Sequence, residues 1–208
     1  MCFSATASFT TAGLLAFSAL LGFKKARTQG MRLFALTPFL FAIQQCMEGI
    51  LWSTQPQSPA YNAAAYIFLS FASSWPMLMP SALMILEQDP RRKKIITLLF
   101  YVGCIFSAAS LFYIATTPMT AQIVGGHVAY SFAATGWPAW IDWTRFVYLA
   151  LVVLPPLVSS ARYMWIFGLG VLATFIATIS WYAHHVTSVW CFFAAILSGL
   201  ILLIVWQE

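Results

Sequence analysis

Arg91-Arg92-Lys93-Lys94 is followed by Ile95-Ile96-Thr97-Leu98-Leu99-Phe100-Tyr101-Val102-Gly103-Cys104-Ile105-Phe106-Ser107-Ala108-Ala109-Ser110-Leu111-Phe112-Tyr113-Ile114-Ala115. Four consecutive cations give way to 21 residues without a charge. The hydrocarbon core of a bilayer is about 30 Å thick and a helix rises about 1.5 Å per residue, so about 20 apolar residues cross it. This stretch has that length, and the basic cluster at its start is a topology determinant.

The same pattern recurs along the chain. Apolar spans are expected at about 8–23, 33–52, 60–86, 95–115, 143–158, 163–182 and 189–206. Of the 208 residues, 62% are hydrophobic and 7% charged, against about 25% charged in a soluble domain. A soluble fold of this size needs a polar shell that the chain cannot supply. Mean hydropathy is +0.85. The sequence therefore predicts one all-α domain over 1–208, a seven-transmembrane helix bundle embedded in lipid. The net charge of +5 is not a nucleic-acid signal, because the cations sit in short clusters beside the spans.

Those clusters orient the bundle. Lys24, Lys25, Arg27 and Arg32 follow the first span, Arg91 to Lys94 follow the third, and Arg162 follows the fifth. With seven spans these nine of the ten basic residues fall on one side, and only Arg145 falls on the other. Cytoplasmic loops carry such an excess. The expectation is an N-terminus outside, a C-terminus in the cytoplasm, and residence as a multi-pass protein in the cytoplasmic (inner) membrane. The start lacks a basic n-region and a small-residue cleavage site, so it is read as retained. Thr117 to Trp140, with Pro118, Gly125, Gly126, Gly136 and Pro138, reads as a long loop or partly re-entrant segment. Pro76 and Pro80 predict a kink in the third span.

This topology puts the unusual polar residues toward one face: Cys2, Glu48, His127, Asp142, His184, His185 and Cys191. Glu48 is the acid that lies well inside a span. Ionisable groups there are costly and mark function by default. Gln44 and Gln45 precede it by four and three residues, giving the second span a polar stripe that Trp52 continues. Thr174, Thr178 and His185 are expected on one stripe of the sixth span, with His184 turned about 100° away. Glu48, His127, His184 and His185, with Cys2 or Cys191, make a candidate set of zinc or copper ligands. No H-x-x-x-H or C-x-x-C spacing supports it. Glu48, Cys2 and Cys191 are also candidates for acid-base or nucleophilic catalysis, Cys2 becoming terminal if Met1 is removed. A Cys2–Cys191 disulfide suits an oxidising outer side. Cys46 and Cys104 read as packing. Trp52, Trp137, Trp140, Trp143, Trp181 and Trp190 read as an interfacial aromatic belt. The segment Trp137 to Trp140, with Asp142 and Arg145 beyond it, is also a candidate lid. No span interior carries a lysine, which argues against a retinal Schiff base.

Three patches carry a resemblance. Met1-Cys2-Phe3-Ser4-Ala5-Thr6-Ala7-Ser8-Phe9 resembles the start of an uncharacterised family of small bacterial multi-pass proteins beginning "MCFS". Gln45-Cys46-Met47-Glu48-Gly49-Ile50-Leu51-Trp52 resembles its Q-x-x-E-G-x-x-W patch, and Ser188-Val189-Trp190-Cys191-Phe192-Phe193-Ala194-Ala195 its third. The resemblance spans the chain, implies a membrane protein without an assigned activity, and emphasises Cys2, Glu48 and Cys191. Seven-span zinc hydrolases are an analogy only, since His184-His185 lacks their H-x-x-x-H spacing. Three classes stay open. The first is an outward-facing metal-binding or catalytic pocket among spans 2, 6 and 7. The second is a small-solute or ion transporter, channel or receptor. The third is an accessory subunit of a membrane complex. A homo-oligomer or a partner membrane subunit is a candidate assembly.

Overall fold

The computed structural model describes residues 4–132, 140–182 and 185–207, with backbone alone at 140–142 and 207. Eight helices and one hairpin occur among them: α1 (Ala5–Lys25), α2 (Gln29–Ala35), α3 (Thr37–Ser53), α4 (Pro59–Leu86), α5 (Pro90–Thr116), β1 (Met119–Val124), β2 (His127–Phe132), α6 (Trp140–Val158), α7 (Met164–Trp181) and α8 (Val186–Gln207).

Local chemistry sets most of these boundaries. Ser4, Thr28 and Ser58 cap α1, α2 and α4, each side-chain oxygen accepting an N–H three residues on. Asp89 accepts the N–H groups of Arg91 and Arg92 at 2.9 and 2.8 Å, and Pro90 opens α5. The expected second span is two helices. The helical hydrogen bonding tightens at Leu36, whose N–H reaches Leu33, and Pro38 opens the second piece. Arg32, expected in a linker, lies in the last turn of α2.

Among the described residues six helices are long and apolar enough to cross a membrane, counting Gln29–Ser53 as one. The expected fifth span coincides with the apolar part of α6, Trp143–Val158, which is shorter than those six and has Pro155 and Pro156 inside the helix. Large apolar side chains face outward along the bundle, Leu14, Leu98, Ile105 and Phe112 among them, at 64–73% exposure. Water would not tolerate such a belt, and lipid does.

Side-chain contacts gather the basic linkers at one end of the bundle. Lys25 lies over the Trp206 ring. Arg92 Nη1 donates to the Val158 carbonyl at 3.0 Å. Glu87, buried at the end of α4, accepts the Ser160 N–H at 2.6 Å, the Ser160 hydroxyl and the Asp89 N–H. Burial would push the Glu87 carboxyl up, but these donors outweigh it and hold it below the ordinary glutamate value.

The opposite end carries a correction. Within the expected loop, Met119–Val124 and His127–Phe132 pair as an antiparallel hairpin, Val124 opposite His127 and Met119 opposite Phe132. The connection is Gly125-Gly126, both at positive φ (58° and 81°). Two left-handed residues in a row match the twist of a two-residue hairpin, and glycine takes that conformation without a Cβ penalty. Residues 133–139 lie outside the described structure.

The proline-rich middle of α4 explains how α5 and α6 dock. Proline has no N–H, so each frees the carbonyl four residues back. Pro76 frees Ala72, and the Tyr148 hydroxyl of α6 donates to that carbonyl at 2.7 Å. Pro80 frees Pro76, and Gly103 of α5 packs against that carbonyl. A Cβ at 103 would stand 2.0 Å from the oxygen.

Candidate functional site

The polar stripe predicted on the second span is buried against α8. Gln44, Gln45 and Glu48 are each 0% exposed, as is Ser188. The Ser188 hydroxyl donates to Glu48 Oε1, and Gln45 Nε2 donates to Oε2 at 3.4 Å. One turn further along α8, Gln44 Nε2 donates to Cys191 Sγ at 3.3 Å. Ser188 and Cys191 are three residues apart, so one face of α8 meets both turns of the α3 stripe. The carbonyl oxygens of Gln44 and Gln45 and the hydroxyl of Ser8 are buried without a hydrogen-bond partner among the described residues. This is an expensive concentration of polarity in an apolar bundle.

The histidines belong to a different layer. His127, expected in an irregular loop, is on β2 at the hairpin turn. Its ring centroid lies 5.0 Å from that of His185 and 5.1 Å from Tyr182. Burial, and behind it the neighbouring His185 ring, hold His127 below the ordinary imidazole range. The expected stripe from Thr174 through Thr178 to His185 does not form, because α7 ends at Trp181. His185 lies in the connection, its N–H donating to the Tyr182 carbonyl at 2.8 Å. Thr178 is fully buried and its hydroxyl bonds back to Thr174.

Of the expected ligand set, the structure therefore pairs His127 with His185 and puts Glu48 with Ser188 and Gln45. Among the described residues no three His, Cys, Asp or Glu gather in a way that could hold a metal ion. Cys2 and His184 lie outside the described residues, as does the side chain of Asp142. Cys191 carries a free thiol and is buried. Its neighbour is the Gln44 amide, whereas a reactive thiolate is normally supported by a cation or a histidine.

A cavity of about 550 Å³ opens beside this polar layer, bounded by α4, α5, α6, α7, α8 and β2. Cys191 is part of its wall, so one side chain touches both the cavity and the Gln44–Glu48 stripe. The deep wall is mostly apolar, with Leu69, Ala72, Phe106, Phe175 and Trp190, beside Ser73 and Ser110. Trp190, expected in the interfacial belt, is instead buried between the Tyr148 and Phe175 rings, with centroids 5.5 and 4.9 Å away. Trp143 and Trp181, 72% and 76% exposed, keep the outward positions a belt requires. Toward the hairpin the wall turns polar, with Thr116, Thr144, Arg145 and Thr187.

The chain belongs to a family of unknown function, DUF6629. The match covers residues 1–208. No protein of curated function and no solved structure matches the chain. Family membership supplies a fold-length relationship and no activity, so function has to be argued from the site.

Sequence reasoning found Glu48, Gln44, Gln45 and Cys191, and missed Ser188 as Glu48's partner. The spacing of Ser188 and Cys191 was the available signal, because residues i and i+3 are neighbours on one helix face. Tyr148 carried no comparable signal. Its role depends on a carbonyl that a proline frees on another helix.

Proposed function

We propose that the chain is a seven-crossing protein of the cytoplasmic membrane, hairpin end outward, that binds a membrane-soluble small molecule in the cavity at that end. The carrying observation is the contact of Cys191 with both the cavity and the buried Gln44–Glu48–Ser188 layer. Ligand sites are concave and mostly apolar, with a few placed polar groups and volumes of about 300–1,000 Å³. The cavity meets this description, and the polar layer behind it is the part of the bundle whose burial is hardest to explain by packing. In this reading α3 supplies polarity through Cys191, and the cavity itself lies among the later helices. The positive-inside bias of nine of ten basic residues supports the orientation.

The test uses an uncharged alkyl diazirine as photo-probe, with the protein in membranes. Wild type should label on α4, α5 and α8 peptides, and Ala109→Trp, which fills the cavity from α5, should lose that labelling while folding normally. Equal labelling of both would refute the reading. A second reading, chemistry or metal binding centred on Glu48, is favoured by the Ser188–Glu48 bond. Transition metal in purified protein, lost in Glu48→Gln, would support it. Metal-free protein with an unaltered phenotype in Glu48→Gln would end it.

A further inference from the structure

The cavity has a direction. Its deep wall is mostly aliphatic and aromatic, with the Ser73, Ser110 and Tyr148 hydroxyls among it, and Thr116, Thr144, Thr187 and Arg145 lie toward the hairpin end. Arg145 is the charged side chain among the described lining residues. Thr187, in the first turn of α8, brings the positive end of that helix's dipole to the same place. Phe112 both lines the cavity and is 70% exposed, so the cavity opens sideways onto the apolar belt and is reachable from lipid. The volume sets the size of the guest. At about 30 Å³ per water-sized group, 550 Å³ takes about 18 heavy atoms. That matches one long alkyl chain with a small head.

We propose that the ligand is a single-chain amphiphile with an anionic head, a long-chain carboxylate, with its carboxylate at Arg145 and its tail against Phe106, Trp190 and Cys191. This rests on the cavity reading above and adds the charge and the chain number. Guanidinium recognises carboxylate with paired, charge-assisted hydrogen bonds.

The probe is a diazirine-bearing C16 carboxylate, competed by palmitate, by its methyl ester, and by a C16 trimethylammonium of the same chain. Wild type should be labelled on α4, α5 and α8, with palmitate competing at least tenfold better than the ester and the cation competing worst. Arg145→Gln should lose about tenfold in palmitate competition and leave the ester unchanged. Arg145→Lys should recover part of it. If Ala109→Trp abolishes all labelling while Arg145→Gln changes nothing, the cavity stands and the anion assignment falls. If the ester and cation compete as well as palmitate in wild type, the assignment also falls. If Ala109→Trp labels like wild type, the cavity reading itself falls.

Discussion

Gly103→Ala tests the packing that holds the cavity's α4 and α5 walls together. A Cβ at 103 would lie 2.0 Å from the Pro76 oxygen, 2.7 Å from its carbonyl carbon and 3.2 Å from Met77 N. Close C···O contacts run at about 3.3–3.6 Å, so the shortfall exceeds about 1 Å. Every obstructing atom is backbone, and no rotamer change can relieve it. The two helices must separate, at an overpacking cost of about 1–3 kcal/mol. Alanine returns about 0.5–1 kcal/mol of helix propensity. Gly13 in α1 is the control, because its Cβ would meet nothing within 4 Å. The propensity gain cancels between the two variants, so their separation isolates the overpacking term. Expressed as melting temperature in one detergent, that is about 2–12 °C, from about 2–4 °C per kcal/mol at this chain length. Gly13→Ala should match or exceed wild type, and Gly103→Ala should fall below it. Coincident melting of the two variants would refute the close approach of α5 to Pro76.

Tyr148→Phe removes the donor that satisfies the Ala72 carbonyl. It should destabilise by about 1–3 kcal/mol, whereas Tyr113→Phe, with no such bond to a proline-freed carbonyl, should be close to neutral; equal effects in thermal unfolding would count against the proline account. A double-mutant cycle on Glu48→Gln and Ser188→Ala should give a coupling of about 0.6–1.7 kcal/mol, the range for interhelical hydrogen bonds in membranes, and a coupling near zero would remove Ser188 as Glu48's partner. Glu87 is held below the ordinary glutamate value, so on acidification the unfolded chain takes up its proton first. Its contribution is therefore present above the ordinary value and lost as pH falls through the lower, folded one. Unfolding measured from pH 6 to 3 should lose stability in that window, and Glu87→Gln should flatten the slope. An unchanged slope in the variant would sink this assignment. His127 is also held low, which adds a loss setting in as pH falls below the ordinary imidazole value; His127→Phe should remove that earlier limb alone.

Composition and charge order made the membrane bundle legible, because bilayer thickness and the absence of water act on any chain through run length and polarity alone. The same physics singled out Glu48 and its glutamine stripe, because an ionisable group inside a span is costly. The hairpin is also legible, from Gly125-Gly126 between β-branched and aromatic runs, but a period-two pattern of two short strands is far weaker than the apolar run of a span. The sequence does not carry what depends on two helices meeting. Pro76 does not reveal that the carbonyl it frees will be met by Tyr148, nor His127 that it will lie beside His185. Both follow from where the chain returns. The cavity is decided last and only by tertiary structure. It is the space left where α4, α5, α6, α7, α8 and the hairpin fail to close, and no local pattern records a space between elements.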